Sequence, residues 1–137
     1  MTLRQALYNK LVAQSSITSL LHSATSVYHV KMPDNVQYPA ISFQIMPGGW
    51  RAHTMGSDSG PVGTEVLISC WGKTAESVEN VAAAVRTEIK DFSGTMGGAG
   101  GVAVERIFIE SSIEVEYQDT AKVFVAHLSV SVDWTEA

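Results

Sequence analysis

The first part of the chain has apolar residues at helical spacing. Three leucines recur every four residues from the N-terminus: Leu3, Leu7 and Leu11. Thr2 and Gln5 have the spacing of a capping box, so the pattern predicts a helix that runs to about Gln14. A short second helix, capped by Ser15 or Ser16, is expected to carry three more apolar residues: Ile17, Leu20 and Leu21.

A second helical stripe lies in the middle of the chain. Thr74 is a suitable N-cap, Glu76 falls in the first turn and Lys90 in the last, as the helix dipole favours. The predicted main helix spans 74–92, and its apolar stripe consists of Val78, Ala82, Val85, Ile89 and Phe92.

Alternating apolar and polar residues predict strands elsewhere. The clearest one runs from Phe124 to Trp134, where even-numbered residues are apolar and the odd-numbered ones from His127 onward are polar. One buried and one polar face is typical of an antiparallel strand. Other strands are expected at 27–30, 38–45, 62–71 and 102–112, and the last of these should pair with the strand at 124–134. Gly97–Gly101 is expected to be a flexible link before it.

The predicted order is helix, short helix, three strands, helix, two strands. This order indicates an α+β fold in which the N-terminal helix and the main helix pack on one face of a mostly antiparallel sheet. The 137 residues show no internal repeat and no boundary, so residues 1–137 are expected to form one domain with its own core.

Charge narrows the function classes. The net charge is −5, and the nine Lys and Arg residues are scattered along the chain, whereas a nucleic-acid or anionic membrane surface calls for a basic cluster. No stretch approaches the roughly 20 apolar residues that span a bilayer, and the N-terminus lacks the apolar run of a signal peptide. The single cysteine, Cys70, excludes an intrachain disulfide. We expect synthesis and first action in a cytoplasm.

Two glycine motifs resemble nucleotide-binding signatures but lack their context. Gly72-Lys73-Thr74 matches the end of a P-loop, yet the glycine that the motif needs five residues earlier is replaced by Leu67. Residues 98–103 fit a dinucleotide fingerprint, but they follow a helix and open a strand, which is the reverse of the required order. The first motif is explained by the end of a strand followed by the cap of a helix, and the second by a linker.

Catalytic and metal-binding patterns are also missing from the sequence. The four histidines have no metal-ligand or triad spacing: His22, His29, His53 and His127. His127 is predicted to be a surface residue and Cys70 a buried apolar one. The acidic run is predicted to be a solvated hairpin tip: Glu110, Glu114, Glu116 and Asp119. We therefore expect no catalytic residue, no metal and no cofactor, and hence a protein that is not an enzyme.

The long glycine-rich segment 47–61 contains the candidate interface. Trp and Arg are favoured interface anchors, and Met adapts to many surfaces. The candidate residues are Trp50, Arg51, His53 and Met55. Two interpretations stay open: the segment docks on a partner, or it folds back on its own domain.

The order and spacing of these segments resemble a known family. The segments are 38–43, the glycine-rich loop, 66–71, the helix at 75–86, 104–107 and 125–134. Together they are similar to the tail-completion proteins of long-tailed bacteriophages, which are also described as tail-to-head joining or tail-terminator-like proteins. The resemblance covers nearly the full length, and its motifs are structural.

This resemblance implies a subunit of a homohexameric ring in the virion neck, assembled in the cytoplasm of the host bacterium. The ring would cap the tail tube, contact the tail tube protein and the head-closure or connector proteins, and let double-stranded DNA pass through its lumen without specific binding. It implies no catalytic residue, and no contact with a membrane is expected.

Two other functions remain open at this stage. One is another minor neck or tail component, such as a head-closure protein. The other, from a different class, is a small ligand-binding or catalytic α+β domain with a cleft near Cys70. Assembly into rings, or assembly that depends on the tail tube, favours the tail-completion role. A monomer stabilised by a ligand favours the ligand-binding or catalytic domain.

Overall fold

The computed structural model describes residues 2–46, 50–51, 61–112 and 115–135. These residues form three helices, α1 (Leu3–Ala13), α2 (Ser15–Thr18) and α3 (Ala75–Ile89), and eight strands: β1 (Val27–His29), β2 (Ala40–Ile45), β3 (Trp50–Arg51), β4 (Pro61–Gly72), β5 (Gly94–Met96), β6 (Val102–Ser112), β7 (Glu116–Gln118) and β8 (Val123–Thr135). The predicted α+β class is confirmed. No helix among the described residues is long and apolar enough to cross a membrane.

The strands form one sheet in the order β1-β2-β4-β8-β6-β5, with β3 added to β4 and β7 to β8. The predicted pairing of β6 with β8 is confirmed, and it is antiparallel. The β1–β2 pair is parallel, whereas the other described pairs are antiparallel. β8 has 13 residues and lies between β4 and the β6–β7 side, so it is the central strand of the sheet.

The core lies between the helices and one face of the sheet. Cross-strand register puts the apolar rows of β2, β4 and β8 on the same face, as in the row Phe43, Ile68 and Leu128. All three are at most 2% exposed. α1 and α3 cover this face, and their buried residues belong to the same apolar cluster: Leu3, Ala6, Leu7, Leu11, Val78, Val81, Val85 and Ile89.

α1 begins with the capping box that its sequence predicts. The Thr2 side chain accepts a hydrogen bond from the Gln5 backbone N–H at 3.2 Å, and the Gln5 side chain accepts one from the Thr2 N–H at 3.0 Å. This reciprocal capping box satisfies two amide groups that a helix start leaves without partners.

α3 differs from its predicted extent and stripe. The helix ends at Ile89, and Asp91 has a positive φ of 57°, so Phe92 lies in the turn beyond the helix. Val81 is 1% exposed and occupies the stripe, while Ala82 is only half-buried at its margin. Val78, Val81, Val85 and Ile89 follow i, i+3, i+4 spacing, so they share one narrow face.

The segment predicted as a flexible link is a tight turn between β5 and β6. β5 pairs with β6 from Gly94–Val104 to Met96–Val102, and Gly101 donates a backbone hydrogen bond to the Gly98 carbonyl at 3.0 Å. A Cβ atom on Gly101 would collide with the backbone carbonyl of Met96. The glycines therefore permit a close backbone approach at this turn.

Candidate assembly surfaces

The face of the sheet opposite the helices carries a small polar network. Register places Ser42, Ser69 and His127 in one row across β2, β4 and β8. Ser69 Oγ lies 2.8 Å from His127 Nδ1, and Trp71 Nε1 donates to Ser42 Oγ at 2.9 Å. The Trp71 ring meets the His127 ring edge-on at 6.4 Å between centroids.

His127 is therefore not the free surface residue that the sequence predicts; it is half-buried and bonded to Ser69, which is 6% exposed. The strand parity of both residues is visible in the sequence, but their pairing depends on a register between positions 58 apart. No sequence signal in this chain fixes that register.

The Ser69–His127 pair lacks the surroundings of a nucleophile and its base. A catalytic pair of this kind needs a third group that orients the imidazole and donors that hold an oxyanion. Within the described ranges, no carboxylate is hydrogen-bonded to His127, and no three His, Cys, Asp or Glu side chains cluster together. We interpret the pair as a cross-strand hydrogen bond that holds β4 against β8.

Cys70 lies on the opposite, core-facing side of β4. It is 0% exposed and pairs with Ile41 and Ala126 on the neighbouring strands. Burial raises the pKa of the Cys70 thiol from 9.0 to about 12, because the thiolate would lose its hydration. A thiol in this environment is not a nucleophile at neutral pH. Its predicted role as a small buried apolar residue fits this geometry.

We predict that Cys70→Ala keeps the fold and shows a specific pH dependence. At pH 7 the smaller side chain should cost about 1 kcal/mol of unfolding free energy. The raised folded pKa means that the native state holds its proton while the unfolded state releases it above pH 9, so wild-type stability falls as pH rises from about 9 towards 12. Cys70→Ala lacks this loss. The difference in unfolding free energy between wild type and variant should therefore be smaller at pH 10 than at pH 7 by about 1 kcal/mol.

The check is chemical denaturation of both proteins at pH 7 and pH 10. Cys70→Ser is the matched control, because it also removes the titrating thiol but leaves a polar hydroxyl in the core. An unchanged difference between wild type and Cys70→Ala across this range would contradict the burial of an un-ionised thiol.

Two surface grooves lie away from these residues. One, of about 440 Å³, is lined on its apolar side by Val12, Ala13 and Phe92, with Lys10 above the Phe92 ring at 4.1 Å. The other, of about 680 Å³, lies between residues 34–38 and 121–123 and is mostly polar. Neither groove is lined by Ser69, Cys70 or His127, so neither forms the cleft near Cys70 that a catalytic interpretation requires.

The predicted interface residues are only partly described. Trp50 and Arg51 form β3, and they pair with Gly63 and Val62 of β4, so their backbone continues the sheet. His53 and Met55 lie outside the described residues. β3 was predicted as part of a loop; two residues are too few for a periodic signal.

The two ends of the sheet carry features that the sequence analysis missed. Three of the large apolar side chains that are exposed among the described residues lie at these ends, namely Val30, Phe108 and Tyr117, while the fourth, Leu20, follows α2. Glu105, Glu110 and Glu116 are exposed on β6 and β7, whereas His29 and Lys31 are exposed at the β1 end. An edge is defined by the absence of a neighbouring strand, so it becomes visible only when the strand order is known.

Comparison with known proteins identifies a solved structure with the same fold. No protein-family model matches this chain, and no curated protein matches it. The chain is similar to a chain in the solved structure entitled "Virion of native gene transfer agent (GTA) particle". The TM-score is 0.75 and the sequence identity 16%, and the likeness covers 98% of this chain and 95% of the other. At this identity the comparison shows a shared fold over nearly the full length of both chains.

Proposed function

We propose that this protein is a structural, non-enzymatic subunit of a phage-like virion, and that it forms the ring that completes the tail tube and joins it to the head. The observation that carries the proposal is the shared fold, over almost the whole chain, with a component of a gene transfer agent virion particle. The order of segments that resembles tail-completion proteins supports the same role.

The surface chemistry suits an assembly role. The candidate nucleophile Cys70 is buried with a pKa of about 12, and Ser69 and His127 are engaged with each other across two strands. Val30, Phe108 and Tyr117 are instead exposed at the ends of the sheet, and exposed apolar side chains of this kind suit contacts with other chains. The net charge of −5 also favours a lumen through which DNA slides without adhering.

The test is to delete the gene from the phage genome and to examine the particles by electron microscopy. We expect filled heads and separate tails, with few or no joined particles. Complementation with wild-type protein and with Cys70→Ala should restore joining, because the thiol has no role in assembly. Joined, infectious particles in normal number without the protein would overturn the proposal.

The position of the protein separates a tail-completion role from a head-closure role. Mass spectrometry of separated heads and tails, from particles in which joining is blocked by removal of another neck protein, shows which part carries the subunit. We expect it on the tails. Its presence on heads alone would identify it as a head-closure component instead.

A further inference from the structure

We propose that neighbouring subunits of the ring meet through opposite ends of the sheet: the β6–β7 end of one copy contacts the β1 end of the next copy. This proposal rests on the ring that the proposed function assumes, and it names the surfaces that close the ring. We use "acidic edge" for residues 105–112 with β7, and "basic edge" for residues 27–31.

The acidic edge has backbone groups that the fold leaves free. β5 pairs with β6 only at residues 102–104, and the Asp91 N–H donates to the Ile107 carbonyl at 3.2 Å. Ile109 lies two residues on, so its N–H and C=O point to the same outer side, where no described group bonds to them. Residues 108–112, beyond this bond, thus offer about 17 Å of extended chain to a partner.

The basic edge is shorter, and its free groups can be assigned. The Ser26 carbonyl accepts from the Ile41 N–H, and the Val30 N–H donates to the Phe43 carbonyl, so residues 26, 28 and 30 face β2. Val27 and His29 therefore face outward. The His29 carbonyl is already bonded to the Lys31 N–H at 2.7 Å, so the outward groups that remain are those of Val27 and the His29 N–H. Side chains must supply most of the contact at this edge.

The side chains of the two edges are complementary in charge. The acidic edge exposes three glutamates, Glu105, Glu110 and Glu116, and one arginine, Arg106, so its net charge is negative, while the basic edge exposes Lys31 beside His29. Opposite charges on the two surfaces favour contact between unlike edges, and like charges oppose contact of an acidic edge with itself.

Each edge also carries an exposed apolar anchor. Phe108 is 36% exposed with the Arg106 guanidinium 3.9 Å above its ring, and Tyr117 is 50% exposed on β7. Val30 is 58% exposed at the basic edge. Burial of these rings against an aliphatic side chain would remove from water the largest exposed apolar groups of both edges.

Val30 gives a second, independent reason to assign a contact to the basic edge. Its φ is 66°, in the left-handed region that a β-branched residue rarely adopts. Its side chain is exposed, so the subunit's own core gains nothing from keeping valine there instead of glycine. A contact with the next copy explains why the position carries an apolar side chain in spite of its backbone conformation.

The symmetry of this contact matches a ring. The two edges lie at opposite ends of the strand order, so each copy has one acidic and one basic edge. An open row of copies therefore keeps one free edge at each of its two ends. Such a heterologous contact closes into a ring when the rotation between copies is right, whereas a two-fold dimer needs the same surface twice.

The test is thiol cross-linking with Val30→Cys and Phe108→Cys. The buried native Cys70 does not interfere. A mixture of the two single variants, treated with a short bismaleimide, should give covalent dimers, and neither variant alone should do so. The variant with both cysteines should give a ladder that ends at the size of the ring. The control replaces Phe108→Cys by Glu79→Cys, because Glu79 is exposed on α3, which packs on the central strands β4 and β8 and not on either edge.

The cross-linking is done on concentrated purified protein and on assembled particles. A Val30–Phe108 yield no higher than that of the Glu79 control in both samples would overturn the edge contact. A ladder in solution without the protein in particles would keep the contact but remove the proposed function. Protein in particles without a ladder would remove the contact alone.

Two further variants distinguish a contact from a structural role. Val30→Gly relieves the backbone conformation, so it should melt at the same or a higher temperature and still weaken the association between subunits about tenfold. Lys31→Glu and Glu110→Lys should each weaken association, and the double variant should restore it. Failure of the double variant to recover, with both single variants folded, would contradict the charge pairing.

Discussion

Val85→Asp is expected to unfold the domain. Val85 is 0% exposed, and it lies on the face of α3 that packs against β4 and β8. An aspartate there would place a carboxylate among aliphatic side chains with no partner, which costs several kcal/mol. Because a domain of this size is stable by only about 5–15 kcal/mol, most of the stability would be lost. Circular dichroism and thermal melting of the purified variant measure this directly.

Asn80→Asp is the matched control for this variant. It adds the same carboxylate to the same helix at an exposed position, in the half of α3 nearer its N-terminus, so its melting temperature should stay close to that of the wild type. A soluble Val85→Asp protein that melts like Asn80→Asp would show that this face of α3 is not part of the core.

The double variant Trp50→Ala, Arg51→Ala is expected to abolish the joining of heads to tails while the free subunit stays folded. β3 is a two-residue strand at one end of β4, and truncation of its side chains leaves its backbone pairing with Val62 and Gly63 in place. Trp and Arg are the residue types that most often dominate binding energy, so truncation of both should cost more than most other surface changes. Infectious titre, counts of joined particles and the melting temperature are the three measurements.

A conservative pair separates anchoring from local structure. Trp50→Phe with Arg51→Lys keeps an aromatic ring and a positive charge, so it should retain part of the joining activity. If the alanine pair still gives joined particles in normal number, or if it unfolds, the segment folds back on its own domain and is not the docking element.

Long, periodic segments were the predictable part of this fold. α1, α3 and β8 each have enough residues for the 3.6- or 2-residue period to show, and the capping box at Thr2 and the N-cap at Thr74 mark where the helices begin. β3, β5 and β7 have two or three residues each and exist because a longer strand lies beside them. A segment of that length carries no period of its own, so it was not predictable.

Features that depend on register or strand order could not be predicted from the sequence either. The parallel direction of β1 cannot be told from three residues, and Ser69 and His127 meet only because β4 and β8 pair in one particular register. The edges depend on which strand has no neighbour. The choice of Val81 over Ala82 in the α3 stripe was within reach, because the larger side chain at i+3 has more to gain from burial.

The central place of β8 has a consequence for how the protein is made. β8 is synthesised after both of its neighbours, yet it is the strand that joins β2–β4 to β6. Until it emerges from the ribosome, the nascent chain holds two separate groups of strands, each with an open hydrogen-bonding edge. Folding must therefore wait for the final strand, and the many pairings between distant residues should make it slow. Chains terminated before residue 123 would expose both edges, which makes them targets for chaperones and proteases.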